Sequence, residues 1–462
     1  MPRFLSATPN VQLLPLPWDT PLADWPEENL VALPRGISRH VVRFIGVGDE
    51  VLAAKEVNED LALHEYRLLH DLGRLQTPAV EPVGVISARR DAEGQPLDPI
   101  LLTKHLQFAL PYRSLFTPGV RNETVSRLLD AMVVLLARLH LIGLMWGDVS
   151  LSNILFRRDA GEFAAYLVDA ETGELHDKLT DGQRQHDLSI ARVNIFGDFC
   201  DLEAGGLLDE SLDPLTMVET IDARYNELWN ELTGAEEFSG SELHRIEGRV
   251  RRLNALGFDI AELDINTSAD GRTVRIQPKV VDAGHHSRRL LRLTGLDTEE
   301  NQARRLLNDL DTYRMRRGLQ GLDEAVAAHR WLTDFFEPVV NSIPTDMMGK
   351  RDPAQIYHEL LDYRWYQAQR EHRDVPLLEA AQGYIRDVLA NLPDEAMISM
   401  GPGVRTLANP YDPSLGFQDD PLSEQLPPVI DPWEAEADQI EPAEASHFDI
   451  DALRARAKDN PA

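Results

Sequence analysis

Apolar and polar positions divide the chain into a strand-rich first part and a helix-rich second part. Val41–Ile45 and Val51–Val57 are β-branched or apolar runs, and Gly46-Val47-Gly48-Asp49-Glu50 between them has the composition of a hairpin turn. Leu61, Leu68, Leu69 and Leu72 then fall on one face at helical spacing. Val83–Ser87 and Ile100–Thr103 predict two further strands around the loop Asp91-Ala92-Glu93-Gly94-Gln95-Pro96. A long periodic segment, Thr124–Ile142, stops at Gly143, where a glycine suits a helix C-terminus. Two short apolar runs follow, Ile154–Phe156 and Ala165–Val168. From about residue 215 the pattern is mainly helical: Val218–Leu232, Ser241–Leu256, Ser287–Leu293, Thr298–Arg316, Leu322–Phe336 and Gln355–Gln369. One hairpin interrupts them, with strands Phe258–Ile265 and Arg272–Val280 around Ala269-Asp270-Gly271.

The fold class is therefore α+β, with four parts. Residues 1–28 read as N-terminal coil rich in proline, residues 29–210 as a mixed domain, 215–395 as a helical domain with one β-hairpin, and 400–462 as an acidic, Pro-rich tail expected to be disordered. No Lys or Arg occurs from Gly416 to Ile450, and a short helix is predicted near 450–458. Among 462 residues, 77 acidic against 46 basic give a net charge of -31, which argues against nucleic acid and anionic membrane surfaces as partners. The one cysteine, Cys200, leaves no internal disulfide, and no stretch has the roughly 18 apolar residues needed to span a bilayer; the expectation is a cytoplasmic protein.

The chemistry concentrates in Trp146-Gly147-Asp148-Val149-Ser150-Leu151-Ser152-Asn153 and in Val168-Asp169-Ala170-Glu171. Phosphoryl transfer from ATP needs a metal held on the phosphates and a carboxylate at the attacking hydroxyl. An Asp five positions before an Asn supplies a base and a metal-reaching amide, and Asp148 with Asn153 keep that spacing. Asp169, at the end of the next short hairpin, is the second metal ligand. Lys55, in Val51-Leu52-Ala53-Ala54-Lys55, stands where a strand lysine contacts nucleotide phosphates, and Glu65 on the following helix is best placed to hold it. Leu33-Pro34-Arg35-Gly36-Ile37-Ser38-Arg39 contains one glycine where a phosphate-covering loop has several; backbone donors from Gly36 to Ser38, or Arg39 itself, are the candidates to replace them. Asp187 has two readings, a helix N-cap or a buried brace on the catalytic loop.

Trp146-Gly147-Asp148 with Asn153, then Asp169-Ala170-Glu171, resembles the Gly-Asp loop and Asp-x-Glu metal motif of atypical kinases: RIO kinases, aminoglycoside phosphotransferases and bacterial lipopolysaccharide (Kdo) kinases. The likeness spans about residues 30 to 210 and implies a bilobal kinase-like fold, with an N-lobe over about 29–106 and a C-lobe over about 107–210. It also implies ATP and Mg2+ as cofactors. The whole chain, with Glu300-Asn301-Gln302 and Gln355-Ile356-Tyr357-His358, is similar to an uncharacterised actinobacterial family in which a lipopolysaccharide-kinase-like domain precedes a domain of unknown function. Trp146 replaces the usual His and Ala170-Glu171 replaces Phe-Gly, so control by a mobile Phe is not expected. Gly147 replaces the Arg that partners a phosphorylated activation loop.

Two functions from different classes follow. One is an ATP- and Mg-dependent phosphotransferase acting on a hydroxyl of a protein, sugar or small molecule. The other is a nucleotide-binding pseudokinase that organises a protein partner through residues 215–395. In that second part, His285-His286 lacks a completing metal ligand and reads as anion contact or surface. The arginines from Arg288 to Arg317 have acidic neighbours at helical spacing and read as a self-paired surface. Trp331, Phe335, Phe336, Trp365 and Tyr366 are the expected core.

Overall fold

The computed structural model of the chain describes residues 2–7, 10–33, 40–48, 50–116, 120–234, 236–239, 248, 249, 251–253, 258–267 and 273–396. Gly36, Ser38 and Arg39, most of the predicted helix Ser241–Leu256, the turn Ala269-Asp270-Gly271 and the tail 400–462 lie outside the described residues. Packing groups Met1–Phe417 as one unit; a second, Gln418–Ala462, lies wholly outside the described residues.

An antiparallel five-stranded sheet forms the first lobe. Its strands are β1 (Arg3–Ser6), β2 (Val41–Val47), β3 (Glu50–Glu56), β4 (Pro82–Ser87) and β5 (Ile100–Lys104), in the order β1-β4-β5-β3-β2, and helix α1 (Glu59–Arg74) follows β3. Side chains alternate between the two faces as the strand period requires. Val85 and Leu101 pack with Ala62 and Tyr66 of α1, whereas Leu52, Ala54, Ile86, Ile100 and Leu102 face the other way.

That other face is covered by the first residues of the chain, which corrects the expectation of a coil over 1–28. Leu13, Trp18, Leu22 and Trp25 are buried against it, β1 pairs with β4, and three short 3-10 turns link the parts. Proline-rich composition hid the segment because its order comes from tertiary anchors and not from periodicity. The buried Arg89 guanidinium is the main anchor: it donates to the Trp18, Thr20 and Asp98 carbonyls and pairs with Glu56.

The second lobe is built on α3 (Asn122–Leu141), preceded by β6 (Ala109–Pro111) and the single turn α2 (Tyr112–Leu115). Gly143 ends α3 with φ +89°, and a Cβ there would lie 2.0 Å from the His176 carbonyl oxygen, so only glycine fits. After the two-residue β7 (Leu144–Met145), strands β8 (Ile154–Asp159) and β9 (Glu162–Leu167) make a hairpin that β6 extends to three strands; β10 (Glu174–Leu175) pairs with β7. Helix α4 (Asp181–Ala204) starts with a Thr180–Gln183 capping box.

Helix α5 (Pro214–Thr233) follows, and its Met217, Val218, Ile221, Tyr225 and Leu228 join the same core as α3, β8 and α4. The division expected near residues 210–215 therefore falls inside a continuous core, because the apolar face of α5 closes the second lobe. Strands β11 (Glu236–Ser239), β12 (Phe258–Thr267) and β13 (Thr273–Ala283) form an antiparallel sheet in the order β11-β13-β12.

Helices His285–Thr294, Glu300–Arg316, Glu324–Trp331, Glu337–Ser342, Pro353–Glu371 and Leu377–Asp387 complete the described chain. Trp331, Phe336 and Tyr357 are buried together, and the Trp331 indole and Tyr357 hydroxyl both donate to Asp309. Trp365 is 41% exposed and Tyr366 only half-buried, which corrects their assignment to the core: Pro353–Glu371 buries Ala354 to Leu360, and beyond that its side chains are at most half-buried. A π-helical turn, Leu332–Phe336, interrupts the predicted helix Leu322–Phe336. The arginines from 288 to 317 do pair within the chain, mostly across helices: Arg289 with Glu324 and Arg305 with Asp362.

Candidate active site

Three elements bring Lys55, Glu65 and Asp169 together. β3 presents Lys55 towards α1; α1 is started by the Asn58 side chain, which accepts from Leu61 N, and presents Glu65; Asp169 follows β9. Lys55 Nζ lies 3.0 Å from Glu65 Oε2, 2.9 Å from Asp169 Oδ2 and 2.9 Å from Glu171 Oε2. His40, just after the segment that includes Gly36 and Ser38, has Nε2 3.1 Å from Glu171 Oε2.

Burial alone would lower the lysine pKa, but the Glu65 and Asp169 charges and hydrogen bonds to Glu171 raise it well above the ordinary lysine value. Lys55 is thus a fixed cation. Glu65 is pushed above the ordinary glutamate range by burial and then by the Asp169 charge, with Lys55 acting against both. Three carboxylates converge on one ammonium, which leaves negative charge in excess.

The Trp146–Asn153 loop is held from α4. Asp187 is fully buried; its Oδ2 accepts from Trp146 N at 2.9 Å and Oδ1 from Gly147 N at 2.7 Å, while His140 Nε2 lies 3.1 Å from Oδ2. Of its two readings the brace is the one seen, since the helix N-cap is Thr180. Burial lowers the pKa of His140, against the Asp187 carboxylate beside it, which acts to raise it. Gly147 has φ +79°, and a Cβ would sit 3.1 Å from Thr172 O, so the sharp turn before Asp148 calls for glycine. The fully buried Trp146 donates its indole N–H to Asp169 O at 2.8 Å, tying the loop to the Asp169-Ala170-Glu171 segment.

Asp148 receives two amides. Asn153 Nδ2 donates to Asp148 O at 3.0 Å and to Oδ2 at 3.3 Å, and Asn194 Nδ2 donates to Oδ1 at 3.0 Å. With its nitrogen engaged on Asp148, the Asn153 side-chain oxygen is the atom left to face a cation. Asp198 accepts from Leu151 N at 2.7 Å. Burial pushes its carboxyl up to about 6.

Asn194 and Asp198 were not singled out from sequence, nor was His40, and Glu171 was seen only as part of a motif. A signal existed for two of them: Asp187, Asn194 and Asp198 follow i, i+7, i+11, one face of a helix, and that face carries the loop. Gly36 and Ser38 lie outside the described residues.

The donor set fits a hard cation. One oxygen each from Glu65, Asp169 and Glu171 lie within 4.8 Å of one another, and carboxylate oxygens with an amide oxygen suit Mg2+. At His285-His286 the anion is internal: His286 Nδ1 lies 2.6 Å from Glu300 Oε1, and His286 N and Ser287 N donate to the same carboxylate.

Comparison with known proteins agrees on the two halves. Residues 50–193 match the lipopolysaccharide kinase (Kdo/WaaP) family, and residues 227–389 match a domain of unknown function, DUF4032. The solved structure titled "WaaP in complex with acyl carrier protein" is similar at 14% identity, covering 55% of this chain and 99% of that one, with a TM-score of 0.32. No curated protein sequence matches. Among the described residues no helix is long and apolar enough to cross a membrane.

Proposed function

We propose that this chain, in which a lipopolysaccharide-kinase-family segment precedes DUF4032, is an ATP- and Mg2+-dependent phosphotransferase acting on a hydroxyl group in the cytoplasm. The observation that carries the reading is the convergence of Lys55, Glu65 and Asp169 at 2.9–3.0 Å, from positions 114 residues apart, beside an Asp148 held by two amides. A purely structural ion cluster has no need of a second, partly exposed carboxylate oriented in this way.

ATP with its metal supplies the phosphoryl group when bound. Asp169 and the Asn153 side-chain oxygen would hold the cation, with Glu171 beside them, and Lys55, fixed by Glu65, would face the phosphates. Asp148 orients the acceptor hydroxyl and takes its proton on a carboxylate oxygen as the O–P bond forms and the bond to ADP breaks. Asn153 and Asn194 keep that carboxylate turned to the acceptor. The domain extends over about residues 29–210, with α5 added to its second lobe, and the acceptor is a protein, sugar or small metabolite.

The test is ATP turnover with and without Mg2+, together with nucleotide-induced thermal shift, on wild type, Asp148→Ala and Asp169→Ala. The reading requires a Mg2+-dependent shift that Asp169→Ala abolishes and a slow hydrolysis or autophosphorylation that Asp148→Ala abolishes. A shift unaltered by Asp169→Ala, or no shift with any nucleotide, overturns it. A shift with no turnover on any hydroxyl acceptor assigns the chain to nucleotide-binding scaffolds.

A further inference from the structure

The β8–β9 hairpin carries Asn153 immediately before its first strand and Asp169 two residues beyond its second, and Val168 N donates to Asn153 O at 3.1 Å across that end. Its other end is buried by the helices that follow residue 298. At the tip, Asp159 is 3% exposed; its Oδ2 accepts from Asn301 N at 3.1 Å and Asn301 Nδ2 at 2.8 Å, and its Oδ1 accepts from Gln302 N at 2.7 Å. The contact is reciprocated, since Gln302 Nε2 donates to Arg158 O at 2.9 Å and Ala160 N donates to Gln355 Oε1 at 3.0 Å.

Along the strands, Glu299 accepts from the Tyr166 hydroxyl at 2.8 Å and pairs with Arg157 at 2.8 Å, while Arg158 pairs with Glu395 at 2.9 Å. Every charged side chain from Arg157 to Asp159 is therefore met by a partner from the C-terminal region: Glu299, Asn301 and Gln302 at the start of Glu300–Arg316, and Glu395 beyond the last helix. Residues 154–167 make a short hairpin that would be marginal alone. The two metal-facing residues sit at its open end, where a displacement of about 1 Å is enough to lower activity substantially.

We infer that the C-terminal helical region is a positioning brace for this hairpin, gripping it through Asp159 and Glu299 and so fixing the spacing of Asn153 and Asp169. The inference rests on the phosphotransferase reading for its functional half. Coupling of this kind is reciprocal: a braced hairpin binds the metal-nucleotide complex more tightly through its metal, and bound metal tightens the brace. Asp159 and Glu299 are positioning residues and touch no reacting atom.

The experiment uses the full chain with Asp159→Ala, Asp159→Asn and Glu299→Gln. Hydrogen exchange over Ile154–Leu167 is followed without ligand, and half-saturating Mg2+ is measured with a non-hydrolysable ATP analogue, beside the affinity for that analogue without metal. The brace predicts faster exchange at 154–167 and a roughly tenfold rise in half-saturating Mg2+ for Asp159→Ala, a value consistent with typical coupling energies. Metal-free affinity stays unchanged, Asp159→Asn recovers much of the loss because it keeps an acceptor for the helix N–H groups, and Glu299→Gln falls between. Unchanged exchange at 154–167 overturns the brace, as does an unchanged Mg2+ requirement in a variant whose hairpin has loosened. If wild type binds no metal-nucleotide at all, the phosphotransferase reading fails, and the exchange data alone decide whether the hairpin is braced. Should Asp159→Ala not fold, Glu299→Gln and Asp159→Asn carry both measurements.

Discussion

At the open end of the β8–β9 hairpin, Glu65, Asp169 and Glu171 crowd around Lys55; at its tip and flank, Asp159, Tyr166 and Glu299 meet Arg157 and the first turn of Glu300–Arg316. Both clusters are polar and largely buried, but their balance differs. The tip matches each acceptor with a donor from within the chain, so nothing further is needed to stabilise it. The open end gathers three carboxylates on one ammonium and leaves the Asp169 side chain 25% exposed, so negative charge there exceeds the positive charge that meets it. Charge balanced as at the tip needs no further partner, whereas the excess at the open end is what the proposed metal and nucleotide would draw on.

The strongest way to break that contrast is Asp148→Ala, which should lower phosphotransfer by about 10²–10⁴-fold while the chemical-denaturation midpoint hardly moves. Lys55→Met should abolish the nucleotide-induced thermal shift and, by freeing three carboxylates, increase the shift given by Mn2+ or Mg2+ alone; a metal titration without nucleotide reads this directly. At the tip, Tyr166→Phe removes a hydrogen bond to the buried Glu299 and should cost about 1–3 kcal/mol in urea unfolding. Its half-saturating ATP without metal should be unaltered.

A smaller effect is expected at Glu300. Burial acts to raise its pKa, but hydrogen bonds from the His286 side chain and from the His286 and Ser287 amides hold it at about 2. The folded value lies below the unfolded value of about 4.3, so its stabilising contribution is complete above that pH and is lost as pH falls through about 2. The stability gap between wild type and Glu300→Gln should accordingly narrow between pH 5 and pH 2.

The regular parts of the fold were legible because periodicity is local. β3, α1, α3 and their turns follow from spacing, and Gly143 marks a helix end on steric grounds. Asp148, Asn153 and Asp169 stood out by their order and spacing, and Lys55 with Glu65 by position on consecutive elements; the structure sets Lys55 against Glu65 and Asp169, and Asn153 against Asp148. What sequence did not reveal depends on contacts remote along the chain. Asn194 touches Asp148 across 46 positions, and Asp159 meets Asn301 across 142. Charged residues such as Arg157, Arg158 and Asp159 shortened the strand expected over Ile154–Phe156, since their partners lie well over a hundred residues later in the chain. The N-terminal segment was missed for a related reason: an arginine at position 89 orders it.

That arginine and the segment it anchors decide how the chain tolerates shortening. A protein beginning at Leu30 would lose β1 and bare β4, an edge of Val83, Val85 and Ile86 with unpaired backbone groups, beside a sheet face stripped of Trp18, Leu22 and Trp25. Such an edge is a template for strand addition by another copy. Removing these 29 residues should therefore yield inclusion bodies rather than a smaller soluble kinase-like domain, and Arg89→Ala should lean the intact chain towards the same aggregation.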